Sequence, residues 1–107
     1  MFKNLTPHNI VVRNDDGTDT VVEPAGMIAR VSVVSELLTV LGGVKIYTTK
    51  YGEVVNLPAP EDGVYYIVSG MVKAAAPFRT DLVSPLTDGS AIRDEKGQIV
   101  AVRGLVI

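Results

Sequence analysis

Apolar residues along this chain recur mostly at the two-residue period of strands, and the period changes in one place, Val64 to Pro85. Val64 to Val68 is a continuous β-branched and aromatic run, the pattern of a strand covered on both faces. Gly70 to Ala76 then predicts a short helix. Pro77 ends it, because proline has no N–H and keeps the residue before it out of the α region. Upstream, Phe2 to Leu5 predicts a first strand, interrupted at Thr6-Pro7-His8. Asn9 to Arg13 and Thr20 to Glu23 predict a hairpin turning over positions 15–18, with Gly17 supplying the left-handed residue. Pro24-Ala25-Gly26 reads as a further turn.

From Met27 to Val34 the alternation assigns Met27, Ala29, Val31 and Val33 to the core face, so that Arg30 points away from it, into water or into a cleft. Ser35 and Glu36 are expected to bend this strand. Gly42-Gly43 lies between the β-rich runs Leu37 to Leu41 and Val44 to Tyr51, and predicts a two-residue hairpin. A helix over Ser35 to Leu41 competes with it, capped by serine and with leucines at helical spacing. Gly52 to Gly63, with two prolines, reads as a long irregular connection. The chain closes with a hairpin turning at 95–97. Together these elements predict one mainly β domain over 1–107, a small β-barrel or β-sandwich with a single short helix at about 70–76. A barrel this small has little interior, which moves a binding site to an open end or a subunit boundary and predicts a homo-oligomer, a dimer or higher.

Composition narrows the function classes. With 107 residues, 47% of them hydrophobic, the chain can fill one core and is not a disordered segment. Ten basic residues against twelve acidic ones, net charge -2, argue against bulk nucleic acid or an anionic membrane as partner. Cysteine is absent, which removes disulfides, thiolate metal sites and cysteine nucleophiles. No stretch approaches the roughly 20 apolar residues of a membrane span, and the first residues lack a signal-peptide pattern, so a soluble, cytoplasmic protein is expected.

Candidate chemistry is sparse. The single histidine, His8, is a residue type suited to acid or base chemistry, but a lone histidine in a turn is more often a hydrogen-bonding brace for the loop. The pairs Asp15-Asp16, Glu61-Asp62 and Asp94-Glu95 each lie within two residues of a glycine in an expected turn, and read as solvated turn residues rather than metal ligands. Arg79, Arg93 and Arg103 fall in the last third of the chain, and their guanidinium forks suit phosphate or carboxylate. The alternative for Arg79 is an ion pair with Asp81. There is no glycine-rich phosphate loop, nucleophile elbow or hydrolase triad, and no cofactor or metal is expected.

Asn4-Leu5-Thr6-Pro7-His8, Pro24-Ala25-Gly26 with Ala29-Arg30-Val31, Gly52-Glu53-Val54 with Leu57-Pro58, Tyr66-Ile67-Val68-Ser69, Arg79-Thr80-Asp81-Leu82 with Pro85, and Arg93 to Gly97 with Arg103-Gly104-Leu105 give a pattern over nearly the whole chain. In it the sequence resembles the small proteins with an N-L-T-P-H start found in tailed phages, prophages and some bacteria. The resemblance implies expression in the cytoplasm of an infected bacterium. By analogy with other small phage proteins it suggests a role against host defence, by sequestering a nucleotide second messenger. It also singles out one set of polar residues for a single site: Asn4, Thr6, His8, Arg30, Ser69, Arg79, Asp81, Arg93 and Arg103, with Tyr51 or Tyr66 to stack on a base. These are expected to converge where Arg79-Thr80-Asp81 meets the Thr6-Pro7-His8 turn and the Arg93/Arg103 hairpin. The leading expectation is a non-enzymatic binder of a cyclic nucleotide or a cyclic ADP-ribose type of molecule. The alternatives are a small hydrolase using His8 and Asp81, and a protein-interaction module with no small ligand.

Overall fold

In chain order the computed structural model, which describes residues 1–107, contains β1 (Phe2–Asn4), β2 (Ile10–Arg13), β3 (Asp19–Val22), β4 (Arg30–Leu41), β5 (Val44–Val55), β6 (Tyr65–Ile67), α1 (Gly70–Ala75), β7 (Leu82–Pro85), β8 (Ile92–Arg93), β9 (Ile99–Ala101) and β10 (Leu105–Val106). The central sheet has the order β1-β6-β7-β10. β6 pairs in parallel with β1 on one side and with β7 on the other, and β10 closes the sheet antiparallel to β7. Of the run Val64 to Val68, expected to be covered on both faces, Tyr66 to Val68 are wholly buried, whereas Val64 is half-buried and Tyr65, at the start of β6 against Phe2, stays 42% exposed.

α1 connects β6 to its parallel neighbour β7 and covers one face of this sheet. Ser69 caps it: its hydroxyl accepts the Val72 backbone N–H at 3.2 Å, which satisfies one of the free donors of the first turn. The helix ends before Pro77, and Val72 and Ala76 turn into the core with Leu5, Ala29, Tyr66, Val68 and Leu82. Three hairpins surround this centre: β2–β3, β4–β5 and β8–β9. β9 leads into a docking with β2, where the Arg13 and Val102 backbones exchange bonds with Val102 and Val11 at 2.8 and 2.9 Å. The architecture is thus mainly β with one short helix, sandwich-like rather than a closed barrel. The four strands of the central sheet leave open edges, so the barrel alternative falls away.

The Gly42-Gly43 hairpin forms, both glycines at positive φ (58° and 80°), and the competing helix over Ser35 to Leu41 does not. Neither Ser35 nor Glu36 bends the strand; pairing continues through both, and the irregularities fall at Val31/Val33 and Leu37/Thr39 instead. β4 and β5 are each 12 residues long, and only their base reaches the core, through Val31 and Val54. The expected core face therefore holds for Ala29 and Val31, while Val33 stays 38% exposed because the ribbon leaves the body just past Val31, and Met27, in the segment before β4, stays 41% exposed. β5 also runs to Val55, so the irregular connection starts at Asn56, a non-glycine residue at φ 61° whose amide donates to the Ile28 carbonyl. No helix is long and apolar enough to cross a membrane.

Candidate functional site

Parallel strands that leave a sheet in different directions open a crevice beyond their carboxyl ends. β1 exits through Thr6 towards β2, and its neighbour β6 exits through Ser69 into α1. Between those exits lies a cleft of about 330 Å³, walled by Leu5, Thr6 and Pro7, by Ile28 to Val31, and by Ser69, Met71 and Val72. Three of the expected site residues, Thr6, Arg30 and Ser69, are thus brought together from three separate segments.

The cleft has one charge. Arg30 is exposed, takes part in none of the four ion pairs, and is the single ionisable residue of the lining. Ser69 uses an oxygen lone pair on Val72, which leaves its hydroxyl proton free to donate. Thr6 does the reverse: its hydroxyl donates at 2.6 Å to the Asn4 carboxamide oxygen, which leaves lone pairs free to accept. A cation, a donor and an acceptor therefore stand over an apolar floor.

Asn4 explains the N-L-T-P-H segment. It is 1% exposed, and its carboxamide meets all of its hydrogen-bonding capacity. The oxygen accepts the Thr6 N–H (2.9 Å) and hydroxyl, while the nitrogen donates to the His8 and Val22 carbonyls at 2.7 and 2.9 Å. Its backbone carbonyl also accepts the Ala25 N–H at 2.8 Å. One buried residue thus clamps the Thr6-Pro7-His8 turn to the end of β3 through its side chain and holds the Pro24-Ala25-Gly26 turn through its backbone. His8 enters this clamp through its main chain; the imidazole is on the exposed side and does not line the cleft.

The remaining expected residues lie elsewhere, which corrects the single convergence. Asp81 precedes β7, and its backbone carbonyl accepts the Tyr66 N–H at 2.9 Å, near the amino ends of the parallel strands. Thr6 and Ser69 lie beyond the carboxyl ends, four residues along β6 from Tyr65, or about 13 Å at the rise of a strand. Arg79 is committed to structure. Its guanidinium forms a two-pronged pair with Asp81 (2.8 Å for each bond), donates to the Pro58 carbonyl at 2.9 Å and lies 6.0 Å from the centre of the Tyr66 ring. The hydrogen bond from Arg79 holds the Asp81 carboxyl below the usual carboxylate range, and the same bond raises the guanidinium. The ion-pair alternative for Arg79 is the one realised.

Arg93 is exposed and donates to the Gly97 carbonyl inside its own hairpin, and Arg103 is exposed on the loop before β10. Neither lines the cleft. Of the two tyrosines, Tyr66 is buried with its hydroxyl donating to the Ala59 carbonyl, and Tyr51 stands on the β4–β5 ribbon opposite Val33. Neither faces the cleft. Stacking there would fall instead to Met71, Ile28 and Pro7, which sequence reasoning left out because their proximity depends on the β1/β6 pairing. No group of three or more His, Asp or Glu residues could hold a metal ion.

Fold and site together define a mainly β, sandwich-like domain with an open, singly cationic cleft at a switch in strand direction. No family model, curated protein or solved structure matches the chain.

Proposed function

We propose that this protein binds a small phosphorylated nucleotide in the Arg30 cleft and holds it without cleaving it. The observation that carries the reading is the unpaired Arg30 guanidinium, the sole charge on a lining that otherwise supplies hydroxyls and apolar side chains. A guanidinium fork suits phosphate oxygens, the Ser69 hydroxyl adds a donor, and the Thr6 oxygen suits a ribose hydroxyl. Leu5, Ile28 and Met71 offer apolar contact to a base. At about 330 Å³ the cleft is at the small end of ligand sites, which favours a compact cyclic mononucleotide over a dinucleotide-sized ligand.

The lining contains no imidazole or carboxylate to move a proton. His8 and Asp81, the pair on which a hydrolase reading rests, lie at opposite ends of the parallel strands and share no hydrogen bond. With the phage-type resemblance of the motifs, this favours a sequestering protein that withdraws a nucleotide second messenger from bacterial immune signalling. The test is to incubate the protein with a panel of cyclic nucleotides and cyclic ADP-ribose molecules, isolate it by gel filtration, denature it and chromatograph what is released. Intact nucleotide in near-stoichiometric amount is the expected result. Retention of nothing from the panel, or release of a cleaved product, would overturn it.

A further inference from the structure

The β4–β5 ribbon is too apolar to stand in water. Tyr47, Val40, Leu37 and Tyr51 are 54%, 52%, 50% and 43% exposed, and nothing in the chain covers the ribbon beyond Val31 and Val54. Cross-strand partners share a face, so the register sorts the side chains. One face carries Val33, Leu37, Val40, Tyr47 and Tyr51, with the small polar pair Ser35/Thr49 between the two tyrosine rows and Lys45 near the tip. The other face carries Val34, Leu41, Val44 and Ile46, but the charged Glu36–Lys50 pair at 2.7 Å, with Thr39 and Thr48, breaks it into separate apolar ends.

The surface of the whole molecule measures what is missing. The chain exposes 7168 Å², whereas a compact protein of 11.4 kDa exposes about 5,800 Å², so roughly 1,400 Å² is in excess. Its radius of gyration is 16.5 Å against about 13 Å for a compact chain of this length. That excess is larger than the roughly 800 Å² each partner contributes to a standard stable interface, and falls in the range of obligate, apolar ones.

We propose that the occupant is a second copy of this chain, with the two ribbons packed antiparallel through the Val33/Leu37/Tyr47/Tyr51 face. An uncovered two-stranded ribbon is marginal at best, so its cover has to be present whenever the chain is folded. A partner in fixed equal amount meets that condition, and another copy always is one. The charges agree with this choice. Running the second ribbon antiparallel about a two-fold axis near Thr49 sets Tyr47 of one copy over Tyr51 of the other, and Lys45 at one tip over Glu53 at the other base. Neither Lys45 nor Glu53 has an ion-pair partner within the chain. The same arrangement brings each tip beside Val31 at the mouth of the other copy's Arg30 cleft.

Sedimentation velocity on the full chain tests this. Wild type at micromolar concentration is expected at twice 11.4 kDa or a higher multiple, and a monomer would overturn the proposal. Leu37→Glu with Tyr47→Lys keeps a cross-strand pair in the hairpin while charging the packed face, and is expected to yield a folded monomer. A folded double variant that keeps the wild-type mass would count against it. Because that variant alters the ribbon strongly, a gentler pair checks the register. Lys45→Glu is expected to weaken self-association about tenfold, and adding Glu53→Lys to restore it. No loss in the first, or no recovery in the second, would contradict the antiparallel arrangement.

Discussion

Arg79 and Arg30 stand at opposite ends of the same parallel strands and meet opposite fates. At the amino end Arg79 spends its Nε and Nη2 donors on Asp81 and Pro58, with Tyr66 beneath it, and its side chain is 12% exposed. At the carboxyl end Arg30 is exposed, unpaired and set over an apolar cleft. The difference teaches that a cation in a loop beside a sheet is not by itself a ligand site. What decides is whether a carboxylate of the same chain reaches it first. Asp81, two residues on, closes the first arginine, and no acidic residue lines the cleft of the second.

This contrast can be broken from both ends. The largest effect is expected where the carboxyl end is built. Asn4→Ala strands the His8 and Val22 carbonyls and the Thr6 N–H, and is predicted to lower stability by about 3 kcal/mol in urea unfolding, while releasing the Thr6 turn. At the other end, Asp81→Asn leaves Arg79 half-paired in a mostly buried site and is expected to cost about 2 kcal/mol. The affinity for a nucleotide added to the folded variant should not change.

The Asp81 carboxyl also sets a pH signature. Its folded value lies below the unfolded one of 3.8, so its contribution to stability is fully present above the ordinary carboxylate range and is lost as pH falls through the folded value. Unfolding midpoints of wild type and Asp81→Asn should therefore differ at neutral pH and converge as pH drops below about 4. A constant gap down the whole acid range would show that the ion pair is not the source. The smallest stability effect is predicted for Ser69→Ala, about 1 kcal/mol through the lost cap of α1, together with a weakened ligand contact.

Much of the fold is legible in the sequence because local signals carry it. The unbroken Val64 to Val68 run marks the buried central strand, Pro77 marks the end of α1, and Gly42-Gly43 fixes a hairpin against a plausible helix. Arg30 is also legible, since alternation alone sends it away from Ala29 and Val31. What is not legible depends on pairing across long separations. The motif residues Thr6 and His8 look alike in sequence, but Asn4 takes both into a clamp whose third arm is Val22, 18 residues away, leaving Thr6 at the cleft and His8 outside it. Arg79 and Ser69 seem equally near one site until the β6/β7 register sends them to opposite ends. The length of the β4–β5 ribbon escapes a sequence reading because Ser35, Glu36 and Gly52 suggest breaks, whereas the pairing runs past all three with bulges.

On the proposed reading, the free Arg30 and not the paired Arg79 meets the nucleotide. Isothermal calorimetry of the nucleotide panel against wild type, Arg30→Ala and Arg79→Ala addresses it most directly. Wild type is predicted to bind one of the panel, folded Arg79→Ala to bind it with the same affinity, and Arg30→Ala to bind at least about tenfold more weakly while unfolding within about 0.5 kcal/mol of wild type. Equal affinity in Arg30→Ala and wild type, or a loss confined to Arg79→Ala, would contradict the account.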